Sequence, residues 1–199
     1  MNLQHQSIRH ILALPGSLRA GSYNRRLLEA AMTCAPSGLR IELYEGLTDV
    51  PMFNEDTEAG QIRQGGVRRL RDAVAAADGL LIATPEYNQS LPGVLKNAID
   101  WLSRPAAGEV LAGKPVAIAG VSAGRWGTRL AQAALRHTLT ATEAHVMPAP
   151  MLFLAEARKV FDDAGALRDP AARDGLRAWL DAFLRWIERI QVEHSPVLA

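Results

Sequence analysis

The chain has 199 residues, 48% of them hydrophobic, with 22 Lys and Arg against 21 Asp and Glu. That length suits one ordinary domain with a full core, and a formal charge of +1 leaves no field of the kind that draws nucleic acid or an anionic membrane surface. The lone cysteine, Cys34, excludes an internal disulfide, fits a reducing compartment, and within LLEAAMTCA is expected as an inert buried thiol.

MNLQHQSIRH has no apolar core of signal-peptide length, and no apolar run approaches the ~20 residues of a membrane span. The expected location is therefore the cytoplasm. IRHILALP (8–15) reads as a buried strand, and residues 24–35 follow with helical spacing at Leu27, Leu28 and Ala31. LRIELYEG (39–46) alternates apolar and polar, as a strand with one solvated face does. LTDVPMFNEDTEAG then reads as a long loop with an acidic tip. Residues 67–77 form a helix with Val67, Leu70 and Val74 on one side and Arg68, Arg69 and Arg71 around it.

GLLIATP (79–85) is apolar on both faces, which suits a central parallel strand. Residues 92–102 are a helix with Pro92 in its first turn. KPVAIAGVS (114–122) is another buried strand and 126–139 another helix. EAHVMPAPMLFL (143–154) gives a last strand or a pair of short ones. The closing helix, 171–190, carries Leu176, Trp179, Leu180, Phe183, Leu184, Trp186, Ile187 and Ile190 at three-and-four spacing. That stripe reads as core, with Trp186 partly at a subunit contact as the alternative. Strand and helix alternate about five times, so the expected fold is α/β: a flavodoxin-like three-layer sandwich around a five-stranded parallel sheet of order 2-1-3-4-5, with residues 1–199 as one domain.

In such sheets ligands sit beyond the carboxyl ends of the strands. Three strand ends carry unusual loops. In LPGSLRAGSYN (14–24), Gly16 allows a sharp turn. Ser17, Ser22 and Asn24 offer side-chain donors, Asn24 doubling as a helix cap, and Arg19 offers a charge. A helix N-terminus there favours a phosphate, although the same residues would also make a plain capped turn. The loop has neither the dinucleotide glycine fingerprint nor a Walker loop. In TPEYNQSLPG (84–93), Tyr87 offers a flat face, and the amides of residues 86–88 offer donors to a heterocycle's edge. In GVSAGRWGTRLAQ (120–132), Ser122, Ala123 and Gly124 are small enough for a ligand to approach the backbone, and Arg125 and Trp126 lead into the helix.

GVSAG also fits G-x-S-x-G, the nucleophile elbow, with Ser122 as a candidate serine nucleophile. Against a hydrolase, His137 and His145 follow too early for the order Ser, acid, His. Only His194 leaves that order open, and no HGGG-type oxyanion loop appears. The five His show no catalytic or metal pairing.

The segments GSLRAGSYN, PEYNQSLPGVLKNAIDWLSR and GVSAGRWGTRLAQ, in this order and spacing, resemble the NADPH-dependent FMN reductases of flavodoxin-like fold, a family that includes quinone, chromate and azo-dye reductases. The resemblance spans about residues 8–150. It implies that Ser17, Arg19, Ser22 and Asn24 hold the FMN phosphate with Tyr23 packed nearby. It implies that Pro85, Glu86, Tyr87 and Asn88 line the isoalloxazine ring and its polar edge, and that Ser122 and Gly124 close the other side. It further implies hydride transfer from NADPH or NADH and ping-pong reduction of a quinone, flavin, azo or metal-oxyanion acceptor, with no catalytic side chain and no metal. A homodimer or homotetramer with Lys96, Asp100 and Trp101 at the contact is implied as well; the residues alone equally suit a solvated ion pair beside a buried Trp. An FMN-binding electron carrier is the alternative, though such carriers tend to be acidic and this chain is nearly neutral.

Overall fold

The computed structural model describes residues 8–105 and 108–193. Its first strand, β1 (Arg9–Pro15), runs into α1 (Tyr23–Cys34), then β2 (Leu39–Leu43). The segment read as a loop contains two 3-10 turns, Gly46–Asp49 and Glu55–Thr57, and a single helical turn, α2 (Glu58–Gln61). Then come α3 (Gly65–Ala76), β3 (Gly79–Ala83), α4 (Gly93–Leu102), β4 (Pro115–Val121) and α5 (Arg129–Thr140). β5 (His145–Val146), β6 (Leu152–Leu154), the short α6 (Ala157–Val160) and the long α7 (Pro170–Glu193) complete the described residues.

The sheet is parallel throughout, in the order β2-β1-β3-β4-β5. The fifth position is split: β5 pairs with Pro115 and Val116, whereas β6 pairs with Ala119 to Val121 farther along the same edge of β4. Pro148 and Pro150, which lack an N–H for the ladder, lie between the two pieces.

Alternate residues of the central strands face opposite layers. Ile11, Ala13, Leu81, Ala117 and Ala119 pack under α1 and α7 with Leu27, Leu28, Trp179 and Phe183. Leu12, Leu14, Leu80, Ile82 and Ile118 pack under α3, α4 and α5 with Leu70, Val74, Leu95, Ile99 and Leu135. Each such Leu or Ile side chain contributes about 1.5–3 kcal/mol on leaving water. Among the described residues no helix is long and apolar enough to cross a membrane.

Three expectations need correction. Arg71 is not on the solvated side of its helix: it is buried, and its guanidinium donates to the carbonyls of Trp101 (2.8 Å), Leu102 (3.3 Å) and Gly108. Burial pulls its pKa below the ordinary arginine value. Trp101 is not at a surface contact: it is 0% exposed, packs edge-on against Phe53, and donates its indole N–H to Pro51 O at 2.8 Å. Lys96 and Asp100 do lie on the outer side of α4, paired at 2.6 Å. Cys34 is half-buried rather than fully enclosed, and Trp186 is partly buried against α7's own core, with its indole N–H on His145 O at 3.2 Å.

Candidate functional site at the carboxyl edge of the sheet

The three loops beyond β1, β3 and β4 meet at one edge of the sheet. Gly16 is where the first two touch: its N–H donates to Ala83 O at 2.8 Å, and a Cβ there would stand 3.0 Å from Ala83 O and 3.1 Å from Pro85 Cδ. Beyond it lies an open groove of about 350 Å³ lined by Gly16, Ser17, Leu18, Arg19, Tyr87 and the start of α4. Leu18, Pro92, Gly93 and Val94 carry no chemical signal in the sequence; only the fold brings them here. A larger hollow, about 460 Å³, lies between α1 and the start of α7 among Arg26, Thr33, Arg173 and Arg177. It flanks the sheet, whereas the ligand rule for this topology points to the strand ends.

The first loop presents hydroxyls, a cation and a helix end together. Ser17 is buried, and its Oγ accepts from Arg19 N–H at 3.3 Å. Arg19 itself is exposed. Ser22 is the N-cap of α1 in extended geometry, yet makes no side-chain cap bond, and the first turn holds no acidic residue. The leading amides of α1 therefore have no intrahelical partner and face no carboxylate from their own helix. Tyr23 is partly buried, stacked on Phe161, and the Arg26 guanidinium lies over its ring at 5.5 Å. Arg25 braces the loop against Glu45 through two bonds, one of 2.7 Å; that bond holds the Glu45 carboxyl below the usual carboxylate range.

Asn24 is turned inward. It is 3% exposed, its Oδ1 accepts from Val121 N–H (2.9 Å), and its Nδ2 donates to Val121 O (3.0 Å). β3 leaves the ladder at Ala83, opposite Ala119, two residues before β4 ends. The carboxamide of Asn24 takes the place of the missing strand at Val121. It is a clip between the first and third loops rather than a side chain directed at a ligand.

Glu86 is likewise committed. Its Oε2 accepts from the amides of Leu130 (2.8 Å) and Ala131 (3.0 Å), capping α5 from the second loop. Pro85 is half-buried. Tyr87 is 46% exposed at the groove. It closes a tight turn with Ser90 through reciprocal bonds of 3.1 and 3.0 Å, over Asn88 and Gln89 at φ 50° and 63°. The Tyr87 amide is thus used within the turn and is not among the donors open to a ring.

In the third loop the Ser122 hydroxyl donates to Gly124 O at 3.0 Å, a carbonyl rather than a base, so that bond does not activate it as a nucleophile. His194, on which the hydrolase order depended, lies outside the described residues. Gly124 is exposed with open space where a Cβ would be. Behind it the buried Thr128 and Gln132 brace the loop, the Gln132 amide donating to Thr128 Oγ1 (3.1 Å) and Leu152 O (3.0 Å). Among the described residues no cluster of His, Cys, Asp or Glu could hold a metal.

An uncapped helix end beside buried hydroxyls, next to an open groove bearing an exposed Tyr face and small residues, fits a planar mononucleotide with a terminal phosphate. FMN has that chemistry. The comparisons agree. The model of the NADPH-dependent FMN reductase family matches residues 9–159. An NAD(P)H-dependent FMN reductase of Pseudomonas aeruginosa is 44% identical over 181 residues, covering 91% of this chain and 96% of that protein. A quinone reductase of Escherichia coli is 36% identical over 183 residues, 92% and 97% of the two chains. A flavoenzyme NAD(P)H:(acceptor) oxidoreductase from Paracoccus denitrificans superposes with a TM-score of 0.83 at 34% identity, covering 92% of this chain and 98% of that one. With the parallel order and the three loops, these matches establish that the chain belongs to the NADPH-dependent FMN reductase family.

Proposed function

We propose that this chain, acting as one FMN-binding domain, oxidises NAD(P)H and reduces a small acceptor, with quinones first among quinones, flavins, azo compounds and metal oxyanions. The observation that carries the reading is the pairing of an uncapped α1 N-terminus with an open, Tyr-faced groove at the same strand ends. FMN, when bound, supplies a ring that accepts hydride and passes electrons on. Ser17, Arg19, Ser22 and the leading amides of α1 bind the phosphate. Pro85, Tyr87 and Asn88 orient the ring from one side, and Ser122 and Gly124 border it on the other. Asn24 and Glu86 act indirectly, by holding the loops in register. The open groove serves donor and acceptor in turn, which gives ping-pong kinetics. The working form is a homodimer or homotetramer; the outward position of Lys96 and Asp100 on α4 supports a contact there.

The test is a visible spectrum of the FMN-loaded protein followed by NADPH and NADH oxidation at several quinone concentrations. Parallel double-reciprocal lines are expected. Converging lines would overturn the ping-pong order. A protein that takes up FMN and electrons but turns over no acceptor would be a carrier, and one that ignores FMN would overturn the reading altogether.

A further inference from the structure

We infer that the stretch Arg125–Arg129 is the recognition shelf for the adenosine 2′-phosphate half of NADPH, and that it sets a preference for NADPH over NADH. The inference rests on the reductase reading above and assigns the part of the cosubstrate that reading leaves open. Trp126 is 63% exposed, and the Arg125 guanidinium lies over its ring at 4.9 Å. Arg129 lies over Phe153 at 5.6 Å. The two pairs stand on either side of Gly127: at φ +67° it turns the chain between Trp126 and α5, and a Cβ there would stand 3.1 Å from Phe153 Cβ.

The charge on this surface is unbalanced. Neither Arg125 nor Arg129 has an acidic partner among the described residues. The carboxylates nearby are engaged: Glu86 caps α5, and Glu156 pairs with Lys159 at 2.7 Å. Two guanidinium groups beside an exposed indole match an adenine ring bearing a phosphate. The base stacks on Trp126, and the dianion accepts forked hydrogen bonds from the arginines. The helix end at α5 cannot serve the same phosphate, since Glu86 already occupies its leading amides. The shelf continues the loop that borders the ring site at Ser122 and Gly124, so one extended dinucleotide reaches both. NADH lacks the 2′-phosphate and engages only the indole.

The experiment titrates the FMN-loaded full chain by calorimetry with 2′,5′-ADP and with 5′-AMP, then repeats both with Arg125→Gln and Arg129→Gln. We expect 2′,5′-ADP to bind about tenfold tighter than 5′-AMP, and each substitution to remove most of that gap. Trp126→Ala weakens both ligands alike. In turnover, the ratio of kcat/KM for NADPH to that for NADH falls about tenfold in each arginine variant. Equal affinity for the two ligands in the unaltered protein, or a gap that survives both substitutions, overturns the assignment. An unaltered holoenzyme that oxidises neither coenzyme would instead mark the failure of the reductase reading.

Discussion

Replacing Asn24 with Ala separates a structural role from a ligand-binding one. The carboxamide satisfies both polar groups of Val121, a residue 2% exposed, across 97 positions of sequence. Without it, a buried N–H and a buried C=O at the end of β4 lose their partners, each at a cost of about 1–3 kcal/mol. A combined loss of about 3 kcal/mol lowers Tm by roughly 6–12 °C in a chain of this size. The loss is expected in the FMN-free protein, measured by thermal and urea unfolding with an unchanged urea slope, and FMN affinity falls in step because the first and third loops come apart. Asn24→Asp keeps the acceptor for Val121 N–H but sets a carboxylate oxygen against Val121 O, so it fares no better. If Asn24 instead bound the phosphate, the FMN-free protein would keep its Tm within about 1 °C while FMN affinity alone dropped, and that result refutes the clip.

Gly120→Ala places a methyl group into the Thr128 hydroxyl and 2.6 Å from Thr84 O, both fully buried. A loss of about 3 kcal/mol or more is expected, visible as poor soluble yield or a large fall in Tm. Gly93→Ala, with open space at its Cβ in the first turn of α4, should raise stability by up to about 1 kcal/mol in the same unfolding assay. Trp101→Phe and Trp179→Phe both alter fully buried indoles, but only the first loses a hydrogen bond, the one to Pro51 O, which keeps Asn97 Nδ2 at 2.9 Å as its other donor. The indole N–H of Trp179 has no hydrogen-bond partner among the described residues. Chemical denaturation should therefore show Trp101→Phe costing about 1 kcal/mol more than Trp179→Phe.

The sheet order was legible because its signals are local. Continuous apolar runs such as GLLIA mark strands covered on both faces, and the Leu27–Leu28–Ala31 spacing marks the helix between two of them. The split of the last edge strand was only half legible, as two prolines in PAP interrupt a pattern that otherwise continues. The short helical turns at 46–61 escaped because they are held from outside: Phe53 N–H donates to Asn97 Oδ1 at 2.7 Å, and Glu58 pairs with Arg104 at 2.8 Å, partners more than 40 residues away. The same limit applies at the site. That Ser17, Tyr87 and Ser122 share an edge follows from topology alone. That Asn24 and Glu86 turn away from it follows from Val121 and from the amides of Leu130 and Ala131, which no reading of spacing connects to them.

Those two inward residues decide where negative charge can settle on this edge. α1, α4 and α5 all begin there, and each presents about half a positive charge at its N-terminal end. None of the three has an acidic residue in its own first turn. Glu86 reaches from the second loop to close α5, while among the described residues no side-chain cap closes α1 or α4. Of these helix ends, the protein fills that of α5 with its own carboxylate and leaves that of α1 open beside Ser17, Ser22 and Arg19. On the proposed reading the cofactor phosphate goes to α1, where Ser17, Ser22 and Arg19 add donors to the open end, and that placement would fix which way a mononucleotide lies along the groove. A second phosphate, such as the one that distinguishes NADPH, cannot use the closed end of α5, and beside that helix it must be met by side chains. At this edge the arginines without acidic partners nearest the closed helix are Arg125 and Arg129.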